Sequence, residues 1–146
     1  RAQKHFGESS LLNPIESVCA DINQVKLENA SVVVLNFTLQ FIAKPQRQEI
    51  LQKIYQALRP QGILILSEKI LFENPQKQQR MSHYHHAFKH ANGYSELEIS
   101  QKRQAIENVL VPETITAHEQ RLQQAGFQQI DVWFQGYQFV SWVCQK

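Results

Sequence analysis

Four histidines fall between His83 and His90, and His86 and His90 stand four residues apart, a spacing that lets two imidazoles on one helical face share a metal ion. No carboxylate or cysteine in the same stretch completes a tetrahedral set, so a solvated or interface helix is the better account and no metal site is expected. Asn36 is a second candidate. It interrupts the apolar run Val32-Val33-Val34-Leu35, and in an open α/β sheet ligands sit just outside the carboxyl ends of strands. Taken alone, an asparagine at a strand end more often satisfies turn backbone. Asp21, followed by Ile22 at the end of another short apolar segment, poses the same choice. Arg103 offers a planar fork that grips a carboxylate through two parallel hydrogen bonds, although an arginine on a polar helix is ordinarily a surface charge. Glu68 ends a second apolar run, and nothing in the sequence assigns it a catalytic role.

The elements that position these residues follow from periodicity and punctuation. Ile15 to Ala20 reads as a short strand. Ser31 to Phe37 reads as a strand covered on both faces. Pro45 opens a helix whose Ile50, Leu51, Ile54, Tyr55 and Leu58 form one apolar face. Arg59-Pro60-Gln61-Gly62 ends that helix, with glycine expected to supply the positive φ. Ile63 to Leu66 is then a second buried strand, parallel to the first across a right-handed crossover. Phe72 to Asn92 reads as a polar helix that covers a site or meets another subunit. Ser95 begins a further helix with Glu96 and Glu98 in its first turn, and Thr114 begins another that Gly126 stops. Gln128 to Phe134 and Tyr137 to Cys144 form a terminal hairpin joined by Gln135-Gly136. Trp133, Phe134, Tyr137 and Phe139 are expected in its core. The fold class is α/β, with parallel strands closed by an antiparallel hairpin.

The totals exclude some functions. A chain of 146 residues with 42% apolar content is the size of one domain. Fifteen basic against 13 acidic residues leave a net charge of +2, which provides no footprint for direct nucleic-acid contact. Cys19 and Cys144 are expected as small buried hydrophobes in a reducing compartment. No apolar run approaches the roughly 20 residues needed to cross a bilayer. No membrane contact and a cytoplasmic location are therefore expected.

Leu58 to Ile65, Ala125-Gly126-Phe127 before a strand, and the terminal hairpin together resemble the second half of a class I S-adenosylmethionine-dependent methyltransferase, a Rossmann-like sheet. A more specific likeness lies in Phe88-Lys89-His90-Ala91-Asn92-Gly93-Tyr94-Ser95-Glu96-Leu97-Glu98-Ile99-Ser100-Gln101-Lys102-Arg103 and Glu107-Asn108-Val109, supported by Val34 to Phe41 and Leu66-Ser67-Glu68-Lys69. From about Asp21 onward the chain resembles the carboxy-S-adenosylmethionine synthase family, formerly described as a tRNA (uridine-5-oxyacetic acid) methyltransferase. That resemblance implies conversion of S-adenosylmethionine and prephenate to carboxy-S-adenosylmethionine and phenylpyruvate, for wobble-uridine modification of tRNA by a separate enzyme. It implies that Asp21 and Ile22 contact the adenine, that Asn36 contacts the same ligand, and that Arg103 holds the carboxylate of the carboxymethyl group. It also implies a helical lid over about 72–110 and a homodimer through 72–103.

Two departures qualify the likeness. The glycine-rich turn after the first strand and the acidic residue after the second, which seat the methionine and ribose parts of the cofactor in this superfamily, are missing: 5 glycines occur, none as Gly-x-Gly. Residues 1–146 therefore read as a single partial domain lacking its first two βα units. His90 stands where the family has arginine, which weakens an anion contact there at neutral pH. No catalytic residue is assigned. The competing readings are an ordinary methyltransferase acting on tRNA or a small molecule, and a non-catalytic dimerisation module.

Overall fold

The computed structural model describes residues 15–107 and 109–146, without the side chain of Glu107. Its sheet has the order β1-β2-β5-β4, where β1 is Ala30–Asn36, β2 Leu58–Leu71, β4 Gln129–Gly136 and β5 Phe139–Gln145. A two-residue strand, β3 (Glu113–Thr114), pairs parallel with the end of β2. β1 and β2 run parallel, with Val33 opposite Leu64 and Asn36 opposite Ser67. β5 lies antiparallel to both β2 and β4. The expected combination of a parallel pair and an antiparallel hairpin is thus present.

Helix α1 (Lys44–Ala57) carries proline in its first turn, where the missing N–H costs nothing. It buries Ile50, Leu51 and Ile54 against Leu64 and Leu66 of β2 and Trp142 of β5. Helix α4 (Ile115–Ala125) packs beside it, with Tyr55 edge-on to Phe127 at 5.1 Å. Thr114 caps α4 by accepting from the Ala117 N–H, and Gly126 ends it at φ 118°. A side chain at Gly126 would also meet the Tyr55 ring at 2.8 Å, so two constraints select glycine there.

Several expectations need correction. β1 is not covered on both faces. Among the described residues it pairs only with β2, and Val32 and Val34 are 51% and 52% exposed while Val33 and Leu35 face the core. β2 is longer than the four residues expected and begins where α1 ends. Gln61, not Gly62, takes the positive φ; Gly62 is needed instead for close approach, since a Cβ there would lie 2.9 Å from the Arg59 carbonyl oxygen. Ile15 to Ala20 forms no strand, and Cys19 is exposed. Cys144 is buried as expected, its thiol pKa pushed up to about 12 by burial and then by Asp131 and Glu119.

The hairpin turns at Tyr137-Gln138 rather than Gln135-Gly136, because tertiary capture decides it. Gln138 is buried, its carbonyl accepts from the Ile70 N–H at 2.7 Å, and its amide donates to Ser82 at 3.0 Å. A bulge between Val132 and Phe134 leaves Trp133 without a partner in the ladder. Trp133 is 62% exposed and Phe134 is exposed too, so neither belongs to the core.

Candidate functional site: a cation-lined cavity at the strand ends

Two helices rise beyond the carboxyl end of β2. Helix α2 (Pro75–Ala91) is capped by Asn74, which accepts from the Lys77 N–H at 3.0 Å. Helix α3 (Glu96–Glu107) begins in a reciprocal cap: Ser95 donates through its N–H and hydroxyl to Glu98, and the Glu98 N–H donates back to Ser95. Between these helices and the sheet lies a cavity of about 710 Å³. The helices expected over 72–110 are therefore present and form its roof.

The floor is built on one buried carboxylate. Glu68, fully buried near the end of β2, accepts from the backbone N–H groups of Thr38, Leu39 and Gln40 at 3.0, 2.8 and 3.0 Å. These fasten the 3-10 turn Leu39–Phe41, which follows β1 and supplies Gln40 and Phe41 to the cavity. Gln40 in turn accepts from the Lys69 N–H at 3.0 Å. Burial raises the Glu68 pKa, opposed by those three N–H groups and by Arg47.

Behind the turn, fully buried Arg47 donates to the carbonyls of Ile42 and Val111, both at 2.8 Å, and to the Glu113 carboxylate, which also accepts from Arg121 at 2.8 Å. Burial pushes the Glu113 pKa up, but Arg121 and Arg47 outweigh it and hold the carboxylate ionised. This triad fixes the segment that returns from α3 to β3.

The cavity wall is cationic. Lys69 from β2, Lys89 from α2, and Lys102 and Arg103 from α3 line it, with Phe37, Phe41, Ile99 and Phe139 as apolar surface and no carboxylate among its described lining residues. The Lys69 pKa is lowered by burial, then by Lys89 and Arg103; that of Lys89 is lowered by burial and then by Lys102. His85 lies against Tyr137 and Phe139, with ring centroids 5.7 and 5.1 Å away. Its pKa is lowered to about 4 by burial and then by Lys89 and Lys69, so it is neutral near pH 7. The positive charge therefore belongs to the lysines and Arg103. Such a wall is chemically suited to anions with an apolar portion.

The four residues singled out from sequence are not all gathered here. Arg103 lines the cavity. Asn36 is exposed at the end of β1, next to the cavity-lining Phe37. Asp21 and Ile22 lie outside the lining; Asp21 is exposed and accepts from the Asn23 N–H and side-chain amide, both at 2.8 Å, while Ile22 packs on the core. Lys53 of α1 fastens this turn by donating to the Asn23 carbonyl at 2.8 Å. Lys69 and Lys89 received no role from sequence, although Glu68-Lys69 does mark a polar strand end. Among the described residues no group of three metal ligands occurs. His90 pairs with Glu96 at 2.9 Å, a carboxylate contact that the local stretch did not reveal.

Residues 1–66 match the methyltransferase domain family. The chain is 56% identical over 139 residues to a carboxy-S-adenosyl-L-methionine synthase from Trichlorobacter lovleyi, covering 95% of this chain and 57% of that protein. It is 51% identical over 146 residues to the synthase of Actinobacillus pleuropneumoniae serotype 5b, covering 100% of this chain and 61% of the relative. Over nearly all of its length the chain is similar in sequence to carboxy-S-adenosyl-L-methionine synthases. It spans about six-tenths of the length of these curated synthases. Among solved structures, human N-acetylserotonin methyltransferase in complex with S-adenosylmethionine matches with a TM-score of 0.63 at 20% identity, covering 99% of this chain and 36% of that one. A cyclopropane synthase from Mycobacterium tuberculosis matches with 0.62 at 16% identity, covering 89% and 44%. At that identity these neighbours bear on the fold alone, and it is the Rossmann-like class I methyltransferase fold. In the members of this synthase family matched above, the sequence likeness extends through the cavity-forming segments.

Proposed function

We propose that this chain carries the carboxylate-handling part of a carboxy-S-adenosylmethionine synthase, which uses S-adenosylmethionine and prephenate to form carboxy-S-adenosylmethionine and phenylpyruvate. The observation that carries the reading is the cavity at the strand ends, walled by Lys69, Lys89, Lys102 and Arg103 with no described carboxylate in its lining. Such a wall suits a product that has gained a carboxylate. Arg103 binds that new carboxylate, Asn36 borders the ligand, and Asp21 and Ile22 meet the adenine. A carboxylate accepts from an exocyclic amine, and a neighbouring backbone N–H donates to a ring nitrogen. The sulfonium of S-adenosylmethionine makes its methyl group acidic: that carbon loses a proton and bonds to the CO2 that prephenate releases, and the hydroxide that leaves prephenate takes the proton as water.

The product serves wobble-uridine modification through a separate enzyme, so this chain needs no nucleic-acid surface, and its site of action is cytoplasmic. The exposed Tyr84, Phe88, Tyr94 and Leu97 on and beside α2 and α3 support a homodimer through residues 72–103. The deciding experiment incubates the protein with S-adenosylmethionine and prephenate and follows the nucleoside pool by mass spectrometry. A species heavier by one CO2 is expected. Methyl transfer to tRNA with no such species would refute the reading.

A further inference from the structure

Arg103 accounts for one carboxylate, but it is not the innermost cation of the wall. Lys69 is half-buried, its backbone is fixed by Gln40, and its side chain enters the cavity from the sheet. Lys89 enters from α2, also half-buried. Among the described residues neither has a carboxylate within ion-pair distance. On the roof, Glu96 is engaged with His90, and Glu98 is engaged in the α3 cap. His85 and His86, which also face this space, are both depressed in pKa by burial first and by Lys89 next. Two ammonium groups thus share one cavity with Arg103, partly withdrawn from water, with no counter-ion among the described residues. That arrangement is costly unless an anion binds between them.

We propose that Lys69 and Lys89 form a carboxylate-binding position for the second substrate, separate from the position at Arg103, so that the cavity takes a dicarboxylate whose apolar ring lies against Phe37 and Phe139. This rests on the function proposed above and extends it, because it divides the cationic wall between the carboxylated product and the second substrate. Phe37 and Phe139 meet edge to face at 5.8 Å and both line the cavity with the lysines, which gives it an apolar corner.

Calorimetric titration of the full chain with S-adenosylhomocysteine and, separately, with prephenate tests the division. Lys69→Met and Lys89→Met should each weaken prephenate by about tenfold or more, the effect of losing one charge-assisted hydrogen bond. Both should leave S-adenosylhomocysteine within about twofold of wild type, and Lys69→Arg should retain most of the prephenate affinity. If Lys69→Met also loses the nucleoside through misfolding, Lys89→Met on the surface helix decides alone. Unchanged prephenate binding in both methionine variants overturns the assignment. Wild-type protein that binds S-adenosylhomocysteine but not prephenate overturns it too, while leaving the cofactor half of the proposed function intact. Wild-type protein that binds neither refutes the proposed function and this assignment with it.

Discussion

Arg103 is exposed on α3, so in the role proposed for it the geometry of its fork counts for more than burial. Replacing it by alanine should cost about 2 kcal/mol of binding to the carboxylated product, roughly thirtyfold in affinity. Lysine, a point charge, should recover only part; titration with carboxy-S-adenosylmethionine measures both. His118 illustrates the opposite case. It is buried beside Trp142, ring centroids 5.2 Å apart, and neither ring nitrogen has a partner. Its pKa is lowered to about 4 by burial, with Glu113 opposing and Arg121 and Arg47 assisting. In the unfolded chain it titrates near 6.5. As pH falls from about 6.5 to 4 the unfolded chain takes up a proton that the fold refuses, so stability should fall by on the order of 3 kcal/mol across that window and change no further from this group below it. His118→Leu should remove that part of the pH slope in urea titrations. His85, also lowered to about 4, contributes its own share and is unaffected by the substitution.

At the scale of elements, the cavity floor depends on Glu68 holding three N–H groups of one short turn. Glu68→Ala leaves those donors buried without an acceptor and should cost about 3 kcal/mol or more, while Glu68→Gln, which keeps one oxygen acceptor, should cost less. Denaturant midpoints compare them. Gly126→Ala should destabilise by about 1–3 kcal/mol, since it meets both a positive φ and the Tyr55 ring. The start and stop of α4 were legible in the sequence because Thr114 and Gly126 act within one turn of themselves. So was the opening of α1, which Pro45 marks. The hairpin turn was not, because Gln138 is placed by partners on β2 and α2 far away in sequence. The same holds for Arg47 and Glu113, which meet across 66 positions and carry no local pattern.

For the whole molecule, the parallel pair, the closing hairpin and the helical roof could be read from periodicity and turn chemistry. What could not be read was which faces remain open. A run such as Val32-Val33-Val34-Leu35 says that a strand is apolar, not that both sides are filled, and here the outer valines are half exposed. Likewise the stretch around Arg103 is continuous in sequence, whereas the convergence of Lys69 and Lys89 on one cavity is a product of tertiary structure. The proposed homodimer is testable at this scale. Phe88→Glu, on the exposed side of α2, should shift sedimentation velocity toward the monomer with the circular dichroism spectrum unchanged. An unaltered sedimentation coefficient would move the interface elsewhere.

The bulge that turns Trp133 outward also gives the molecule two separable optical reporters, because the sequence holds only 2 tryptophans and Trp142 is fully buried. Trp133 should emit at long wavelength and be quenched by iodide, while Trp142 should emit at short wavelength and resist it. Protonated imidazole quenches indole, so acid loss of the short-wavelength emission would follow the charge on His118 directly, with Trp133 as an internal reference in the same cuvette.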